Sequence, residues 1–303
     1  MADIADSFSL PVLETALLRL IDTALSEDLM MGDITTDSLI AASWQAEGAL
    51  VVKGNGVLAG LPVAQAVFRR VDPGVTLVPT QSEGAAVSPG TIIGRVSGPA
   101  RSILKAERTA LNLLQRISGV ASETAQYVAA VKGLPVRIID TRKTTPGLRA
   151  LEKYAVRVGG GYNHRHNLAD GVLIKDNHLE ALALAEMTLT DGVRLARANA
   201  PHTVRIEVEV TELGQAKEAV EAGADSILLD NMSVEQMRTA VGSVKEWSAA
   251  AGRPRPLVEA SGGITLEKVR AVAATGVDLI SVGALTHSFK ALDISLELSY
   301  GIR

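Results

Sequence analysis

Hydrophobic positions along the second half of the chain alternate between strand-like and helix-like patterns. From residue 136 onward, six short runs rich in Val, Ile and Leu predict β-strands, at 136–140, 172–177, 204–210, 225–231, 257–263 and 278–285. Amphipathic patterns between them predict helices, for instance at 213–223, 233–247 and 265–276. Apolar strands separated by helices are typical of a parallel sheet covered by helices. Both an open doubly wound sheet and an α/β barrel fit this pattern.

The first half of the chain has a different organisation. An amphipathic stretch opened by Pro11 and reaching Leu29 predicts a helix, and a second helical pattern covers 61–71. Short β-like segments interrupted by glycine occupy 47–60, 75–80 and 91–104. These features predict a compact α+β domain that ends near residue 115. A long helical pattern over 103–132 then connects the two halves.

Composition and charge exclude several classes of protein. The 303 residues include no cysteine, which excludes disulfides, thiolate metal sites and a cysteine nucleophile, and fits a reducing cytosol. A net charge of −4 makes nucleic acid or a membrane surface an unexpected partner. The acidic start MADIADSF does not resemble a signal peptide, and no apolar run reaches the length of a membrane span. We therefore expect a cytoplasmic α/β protein.

Polar residues follow all six predicted strands of the second half. The strand-end groups are Asp140-Thr141-Arg142-Lys143, Lys175-Asp176-Asn177, Glu207-Val208-Glu209, Asp230-Asn231, Glu259-Ala260-Ser261-Gly262-Gly263 and Gly283-Ala284. The carboxyl ends of parallel strands lie at one rim, and barrel active sites use several of them. A doubly wound sheet usually concentrates its ligand at one switch point. The even distribution over six strand ends favours a barrel.

The first part of this half is locally basic although the chain is acidic. Between Asp140 and His178 there are seven Lys or Arg residues and four acids, with three of the five histidines of the chain. Such a concentration of cations favours an anionic substrate. Arg142 and Arg165 suit carboxylates, whereas Lys143 and Lys175 suit phosphates.

Acidic and glycine-rich strand ends complete the candidate chemistry. Glu209 and Asp230 suit a magnesium ion or ribose hydroxyls. Ser261-Gly262-Gly263 and Gly283 follow the last two strands, where barrels frequently bind phosphate through backbone N–H groups.

Several of these residues also have an ordinary structural interpretation. Arg149, Lys153 and Arg157 recur at helical spacing and predict a solvated helix face. His178 and His287 fit helix starts or core positions. Glu207 and Glu209 share one strand face, which the pattern leaves open as inward or outward. A lysine that ends an apolar strand, such as Lys175, needs an anionic partner or a shifted pKa.

One long block resembles a known enzyme family. Residues 140–178 contain TRKTTPG, GGGYNHR and IKDNH, with ERTALNLLQRISGVAS upstream and EVEV, LLDN, EASGG and SVGALTHS downstream. Together these motifs resemble quinolinate phosphoribosyltransferases over residues 12 to 298. One departure is Val158, where members of the family often have cysteine.

The resemblance implies an architecture and an assembly. It implies an N-terminal α/β sandwich over 1–115, joined by the C-terminal segment 289–303, and an open α/β barrel of about six strands over 116–288. It also implies a homodimer with active sites shared between subunits, with assembly of dimers into a hexamer left open. Arg108 would then enter the site of the partner subunit.

The resemblance also implies a reaction of NAD biosynthesis. Quinolinate and 5-phosphoribosyl 1-pyrophosphate would give nicotinate mononucleotide, pyrophosphate and CO₂, with Mg²⁺ as cofactor. Arg142, His164 and Arg165, with Thr141 beside them, would bind the quinolinate carboxylates. Lys143 and Lys175 would contact the phosphoribosyl donor, and Glu209 and Asp230 the ribose hydroxyls and the metal. The 5′-phosphate cradle would consist of Ser261, Gly262, Gly263, Gly283 and His287.

Three other functions compete with this interpretation. Similar proteins encoded with molybdate transport systems tend to lack the full TRKTTPG and NHR motifs, which this chain has. A nicotinate phosphoribosyltransferase would need to bind only one carboxylate, so Arg142 and Arg165 together favour the diacid. An aldolase-type barrel would use Lys175 to form a Schiff base.

Overall fold

The computed structural model describes residues 14–301. The helices are α1 Glu14–Leu29, α2 Ile34–Leu39, α3 Leu61–Val71, α4 Ala100–Ala130, α5 Arg149–Val158, α6 Asp176–Ala183, α7 Leu189–Asn199, α8 Leu213–Ala222, α9 Val234–Ala250, α10 Leu266–Ala273 and α11 Ala284–His287. The strands are β1 Gln45–Val52, β2 Gly56–Val57, β3 Thr76–Pro79, β4 Ala86–Val87, β5 Ile92–Pro99, β6 Arg137–Ile139, β7 Val172–Ile174, β8 Ile206–Val210, β9 Ser226–Asp230, β10 Leu257–Ser261, β11 Leu279–Ser281 and β12 Ile294–Gly301. None of the helices in 14–301 combines the length and the apolar character that a membrane span requires.

The described residues form two compact units. The first contains residues 14–125, 144–160 and 285–301, and the second contains 126–143 and 161–284. The first unit thus takes one helix from the middle of the chain and one strand from its end, because α5 and β12 both belong to it.

The first unit is built on an antiparallel sheet in the order β12-β1-β5-β3. All eight residues of β1 pair with β12, from Gln45 opposite Gly301 to Val52 opposite Ile294. The core beneath includes Leu50 and Ile93 from the sheet and Phe68 from α3, each at most 1% exposed. Helix α3 coincides with the helical pattern predicted over 61–71.

Two predicted boundaries in the first half differ from the observed ones. The β-like pattern over 91–104 ends at Pro99, and α4 begins at once with Ala100 rather than at 103. The first helix is observed from Glu14 to Leu29, whereas Pro11, which was predicted to open it, lies outside the described residues.

The second unit confirms the predicted α/β barrel. Each of the six predicted strand segments contains a strand, and these form one parallel sheet in the order β6-β11-β10-β9-β8-β7. Chain neighbours from β7 to β11 are therefore sheet neighbours, and β11 pairs with β6, the first strand of the series. A doubly wound sheet would reverse direction at a switch point, which this order does not do. The other side of β6 pairs only with Tyr162 within 14–301, so the ring stays open between β6 and β7.

The prediction of a solvated face on α5 is wrong for Lys153. Lys153 is fully buried and the adjacent Glu152 is 1% exposed, whereas Arg149 is half-buried and Arg157 is exposed. Within the first unit, Glu152 accepts hydrogen bonds from Arg116 Nη2 at 2.7 Å and from the backbone N–H of Thr145 at 3.0 Å. Helical spacing identified the helix, but spacing alone does not reveal which side of it the rest of the unit covers.

Candidate active site

Lys175 and Glu209 meet at the carboxyl ends of β7 and β8. Lys175 directly follows β7 and is the N-cap residue of α6, and its Nζ donates a hydrogen bond to Glu209 Oε2 at 2.8 Å. The anionic partner predicted for this lysine is therefore present. His178 lies in the first turn of α6, where its Nδ1 accepts the backbone N–H of Lys175 at 2.9 Å. This places His178 at a helix start, one of its two structural interpretations.

Asp230 and the glycine loop meet at the ends of β9 and β10. Asp230 is opposite Ser261 in the register of the two strands, and the backbone N–H of Asn231 donates to the Ser261 carbonyl at 3.0 Å. Asn231 adopts a φ of +54° and donates from Nδ2 to Asp230 Oδ2 at 2.8 Å. A Cβ on Gly262 would lie 2.2 Å from Asn231 Oδ1, and its φ of +89° also favours glycine. Glycine is thus required at Gly262 by both space and backbone conformation.

The remaining glycines predicted for the phosphate cradle lie at neighbouring strand ends. Gly263 follows with a φ of +58° and space for a Cβ on every side, and Gly283 comes two residues after β11. With Ser261 and Gly262 they occupy the carboxyl ends of the last two strands of the barrel. Their role as a phosphate cradle remains a prediction.

The segment after β6 carries two of the predicted cations. In this segment the Lys143 backbone N–H donates to Thr141 Oγ1 at 3.0 Å, and Arg142 lies between them in the chain. Burial lowers the pKa of Arg165, and the nearby positive charge of Arg142 lowers it further. The carboxylates of Glu207 and Asp170 act in the opposite direction and raise the pKa of Arg165, so they offset part of the repulsion between the two guanidinium groups.

Residues 163–165 are held to the barrel by a buried carboxylate. Asp140 is completely buried and accepts the backbone N–H of His164 at 2.8 Å and the side-chain amide of Asn163 at 2.6 Å. Arg165 donates from Nη1 to the Gly171 carbonyl at 2.9 Å. The predicted substrate residue His164 is thus supported by Asp140, which the sequence placed at a strand end without assigning it a role.

His164 lies against two carboxyl groups inside the barrel. Its Nε2 lies 3.1 Å from Glu207 Oε2 and 3.7 Å from Glu259 Oε2. Burial, and then the charge of Glu207, raises the pKa of Glu259 to about 8. The sequence did not predict that His164, Glu207 and Glu259 lie together. Period-two spacing places Glu207 on the same strand face as Glu209, and Glu259 on the same strand face as Ser261. Because Glu207 and Glu209 contact residues of other barrel segments, the inward orientation is the observed one.

Two predicted site residues belong to the first unit and not to the barrel. Arg108 is exposed on α4. His287 ends α11, is exposed and has Nδ1 2.6 Å from Ser288 Oγ, so it is not a core histidine. The contributions of both residues to a binding site remain predictions.

The open barrel and the groups at its strand ends define a class of protein. Cations, carboxylates and a glycine loop occur at the carboxyl ends of several strands, which is where enzymes with an α/β barrel assemble their active sites. The excess of Lys and Arg in the segments next to β6 and β7 suits small anionic substrates. The chain is therefore an α/β-barrel enzyme by fold and site.

Comparisons with known proteins identify the family. Residues 33–118 match the quinolinate phosphoribosyl transferase N-terminal domain, and residues 120–297 match the C-terminal domain. The chain is 45% identical over 278 residues to the nicotinate-nucleotide pyrophosphorylase [carboxylating] of Mycobacterium leprae, covering 91% of this chain and 94% of the relative. The corresponding human protein is 39% identical over 297 residues, covering 97% and 95%. The crystal structure of NadC from Streptococcus pyogenes matches with a TM-score of 0.89 at 41% identity, covering 97% of this chain and all of that one. The chain belongs to the quinolinate phosphoribosyltransferase family, as the motifs of residues 140–178 predicted.

Proposed function

We propose that this enzyme transfers the phosphoribosyl group of 5-phosphoribosyl 1-pyrophosphate to the ring nitrogen of quinolinate and releases CO₂. The observation that carries the proposal is the pair Arg142 and Arg165, whose positive charges act on each other within the barrel unit. A dianion such as quinolinate would offer one carboxylate to each guanidinium and add to the partial neutralisation that Glu207 and Asp170 provide. The relatives named nicotinate-nucleotide pyrophosphorylase [carboxylating] support the same reaction.

Arg142 and Arg165 bind and orient the acceptor in this proposal. A guanidinium can donate two parallel hydrogen bonds to one carboxylate, so two arginines hold the two carboxylates of the pyridine ring in a fixed plane. Holding the ring nitrogen opposite the anomeric carbon of the donor lowers the barrier by orientation. Thr141 contributes a hydroxyl beside them.

The lysines and the glycine loop bind the donor. Lys143 is exposed after β6 and Lys175 is half-buried after β7, and both suit the pyrophosphate as compact charges. The backbone of Ser261, Gly262 and Gly263 offers N–H groups to the 5′-phosphate. Glu209, which is paired with Lys175, would stabilise the positive charge that develops on the ribose.

The carboxylates of the site fit a magnesium ion. Glu209 and Asp230 supply hard oxygen atoms, and Mg²⁺ is usually held by one or two carboxylates together with substrate phosphates and water. When bound, Mg²⁺ neutralises the charge of the pyrophosphate leaving group.

The reaction balances without a covalent enzyme intermediate. The ring nitrogen supplies the electron pair for the new N–C1′ bond, and the C1′–O bond breaks with its electrons on pyrophosphate. The cationic ring nitrogen then stabilises the electron pair left at C2 when its carboxylate departs as CO₂. A proton replaces the carboxylate at C2. Lys175 acts here as a hydrogen-bond donor to the pyrophosphate, and its Nζ lies 2.8 Å from Glu209 Oε2.

The decisive test is an assay of the purified protein. With Mg²⁺, 5-phosphoribosyl 1-pyrophosphate and quinolinate, we expect equal amounts of nicotinate mononucleotide and CO₂. Nicotinate is the matched control, because it lacks the second carboxylate and we expect it not to react. Absence of product from quinolinate, or equal rates with nicotinate, would refute the proposal. Borohydride trapping of a carbonyl substrate on Lys175 would support the aldolase alternative instead.

A further inference from the structure

A cavity lies at the amino ends of the barrel strands, and Arg165 of the proposed acceptor site is one of the residues that line it. It has a volume of about 310 Å³, and the first residues of several strands line it, among them Arg137, Val172, Ser226, Leu257 and Leu279. These positions lie at the amino ends of the strands, away from the carboxyl ends that carry Lys175 and Asp230. The side chains of His164, Glu207 and Glu259 also line this cavity.

Both ring nitrogens of His164 are engaged inside the protein. Nδ1 lies 2.7 Å from the backbone nitrogen of Arg165 and accepts its N–H. A nitrogen that accepts a hydrogen bond carries no proton, so the ring proton is on Nε2. Nε2–H points toward Glu207 Oε2 at 3.1 Å and donates to it. Protein groups therefore occupy both ring nitrogens, and the contact of His164 with a quinolinate carboxylate that the family resemblance implied remains a prediction.

Glu207 is itself held in place from the other side. Its Oε1 accepts a hydrogen bond from Ser226 Oγ at 2.9 Å, and only 8% of the residue is exposed. Glu259 packs against the same group, is 1% exposed, and its Oε1 has no hydrogen-bond partner among the residues that the structure describes. A carboxylate fixed in this way can hold the imidazole in one orientation and one tautomer.

We propose that Glu207 is a positioning residue, which holds His164 as the neutral Nε2–H tautomer and thereby fixes the backbone of Arg165 for substrate binding. The connection runs from Ser226 through Glu207 to the His164 ring, and from Nδ1 to the Arg165 backbone. This inference rests on the proposed function only in what it says of substrate binding. The tautomer of His164 is a separate consequence that needs no substrate.

A bound cation is the alternative for the same three side chains. Their ligand atoms lie within 4.8 Å of one another, which is close enough to surround a metal ion. A metal on Nε2 would require the ring proton on Nδ1, where it would face the N–H of Arg165. Two donors would then oppose each other, so the observed hydrogen bonds favour the positioning role of Glu207 over a bound cation.

The first experiment measures the tautomer of His164 in the wild-type protein. In ¹⁵N-histidine-labelled protein at neutral pH, we expect long-range ¹H–¹⁵N spectra to show His164 neutral with the proton on Nε2. The spectrum of His164→Gln assigns the signal, and His202→Gln, an exposed loop residue, is the control. A doubly protonated ring or a proton on Nδ1 would refute the positioning role of Glu207. A shift of this signal with one equivalent of Zn²⁺ would also refute it.

The second experiment separates positioning from substrate contact. We expect Glu207→Ala to raise the KM for quinolinate by about tenfold or more, with the KM for the donor unchanged, because a misplaced binding group weakens one substrate only. Glu207→Gln can still accept from Nε2–H and should restore quinolinate binding. His164→Asn keeps an acceptor near the Nδ1 position but loses Nε2. We therefore expect it to raise the KM for quinolinate by about as much as Glu207→Ala does.

The double variant decides between the two roles of His164. If Glu207 acts through His164, then Glu207→Ala combined with His164→Asn should be within about twofold of the worse single variant. Additive losses, or a normal KM for quinolinate in Glu207→Ala, would refute the proposal. If the wild-type protein does not turn over quinolinate, the proposed function fails, whereas the tautomer measurement still tests the positioning of His164 by Glu207.

Discussion

At the scale of single residues, the barrel interior contains a carboxyl group that burial keeps protonated. Glu259 is almost completely buried beside Glu207 and His164, and its pKa is raised from 4.5 to about 8. At neutral pH the group is therefore largely protonated, which avoids two negative charges in adjacent buried positions. The unfolded chain has no such restriction, so this residue couples stability to pH.

We expect wild-type stability to fall relative to Glu259→Gln as pH rises from about 5 to 8. The native state holds the proton that the unfolded state has released above pH 4.5, so stability is present below that pH and is lost as pH approaches 8. The difference between the two proteins should change by up to about 1.4 kcal/mol per pH unit in this window. Urea unfolding of both proteins at several pH values measures it. Parallel stability curves would show that Glu259 ionises normally.

At the scale of elements, α5 is a helix whose charged residues are partly internal. Glu152 and Lys153 are buried, and Glu152 connects α5 to Arg116 of α4 and to the Thr145 backbone within the first unit. Removing one partner of a buried ion pair costs more than removing a surface pair, because the other groups lose their acceptor without regaining water. The helix is therefore specified by these contacts as well as by its apolar face.

We expect Glu152→Ala to destabilise the protein by about 2 kcal/mol, because the Thr145 N–H loses its acceptor and Arg116, whose side chain is 32% exposed, loses its ion pair. Glu221→Ala is the matched control, because Glu221 is exposed on α8 and forms a surface ion pair with Lys217 at 3.9 Å. The control should cost less than about 1 kcal/mol. Thermal and urea unfolding measure both variants. Equal effects would mean that the buried pair contributes no more than a surface pair.

At the scale of the whole molecule, the resemblance implies active sites shared between two subunits. Arg108 is exposed on α4 of the first unit, and Lys175 belongs to the barrel unit. In a homodimer with shared sites, an arginine of one subunit would complete the site of the other. Such an assembly predicts that two inactive variants can restore each other.

We expect Arg108→Ala and Lys175→Ala to be inactive separately and to regain activity when mixed after subunit exchange. Random pairing gives heterodimers in about half of the molecules, and one of the two sites in each is intact, so about a quarter of wild-type activity should return. Each variant exchanged with itself is the control. If no mixture regains activity after exchange is verified, the sites are not shared in this way.

Much of the barrel could be predicted because its strands carry an unambiguous pattern. The six apolar runs match β6 to β11, and the polar residues at their ends identified Lys175 and Glu209 before their ion pair was observed. The burial of Lys153 could not be predicted, because i, i+4 spacing defines a helix face without showing what covers it. Nor did the pattern assign roles to Glu207 and Glu259, since an alternating acid fits either face of a strand.

The sequence by itself determined the α/β class, the family and the types of residue at the strand ends. Those properties depend on local periodicity and on motifs that are contiguous in the chain. Only the tertiary structure decided that the His164 ring is held between Glu207 and the Arg165 backbone, that Glu259 has a raised pKa, and that Lys153 is buried. The physical reason is that burial and hydrogen bonding depend on residues far apart in the chain. Those distances are set when β6 to β11 form the ring.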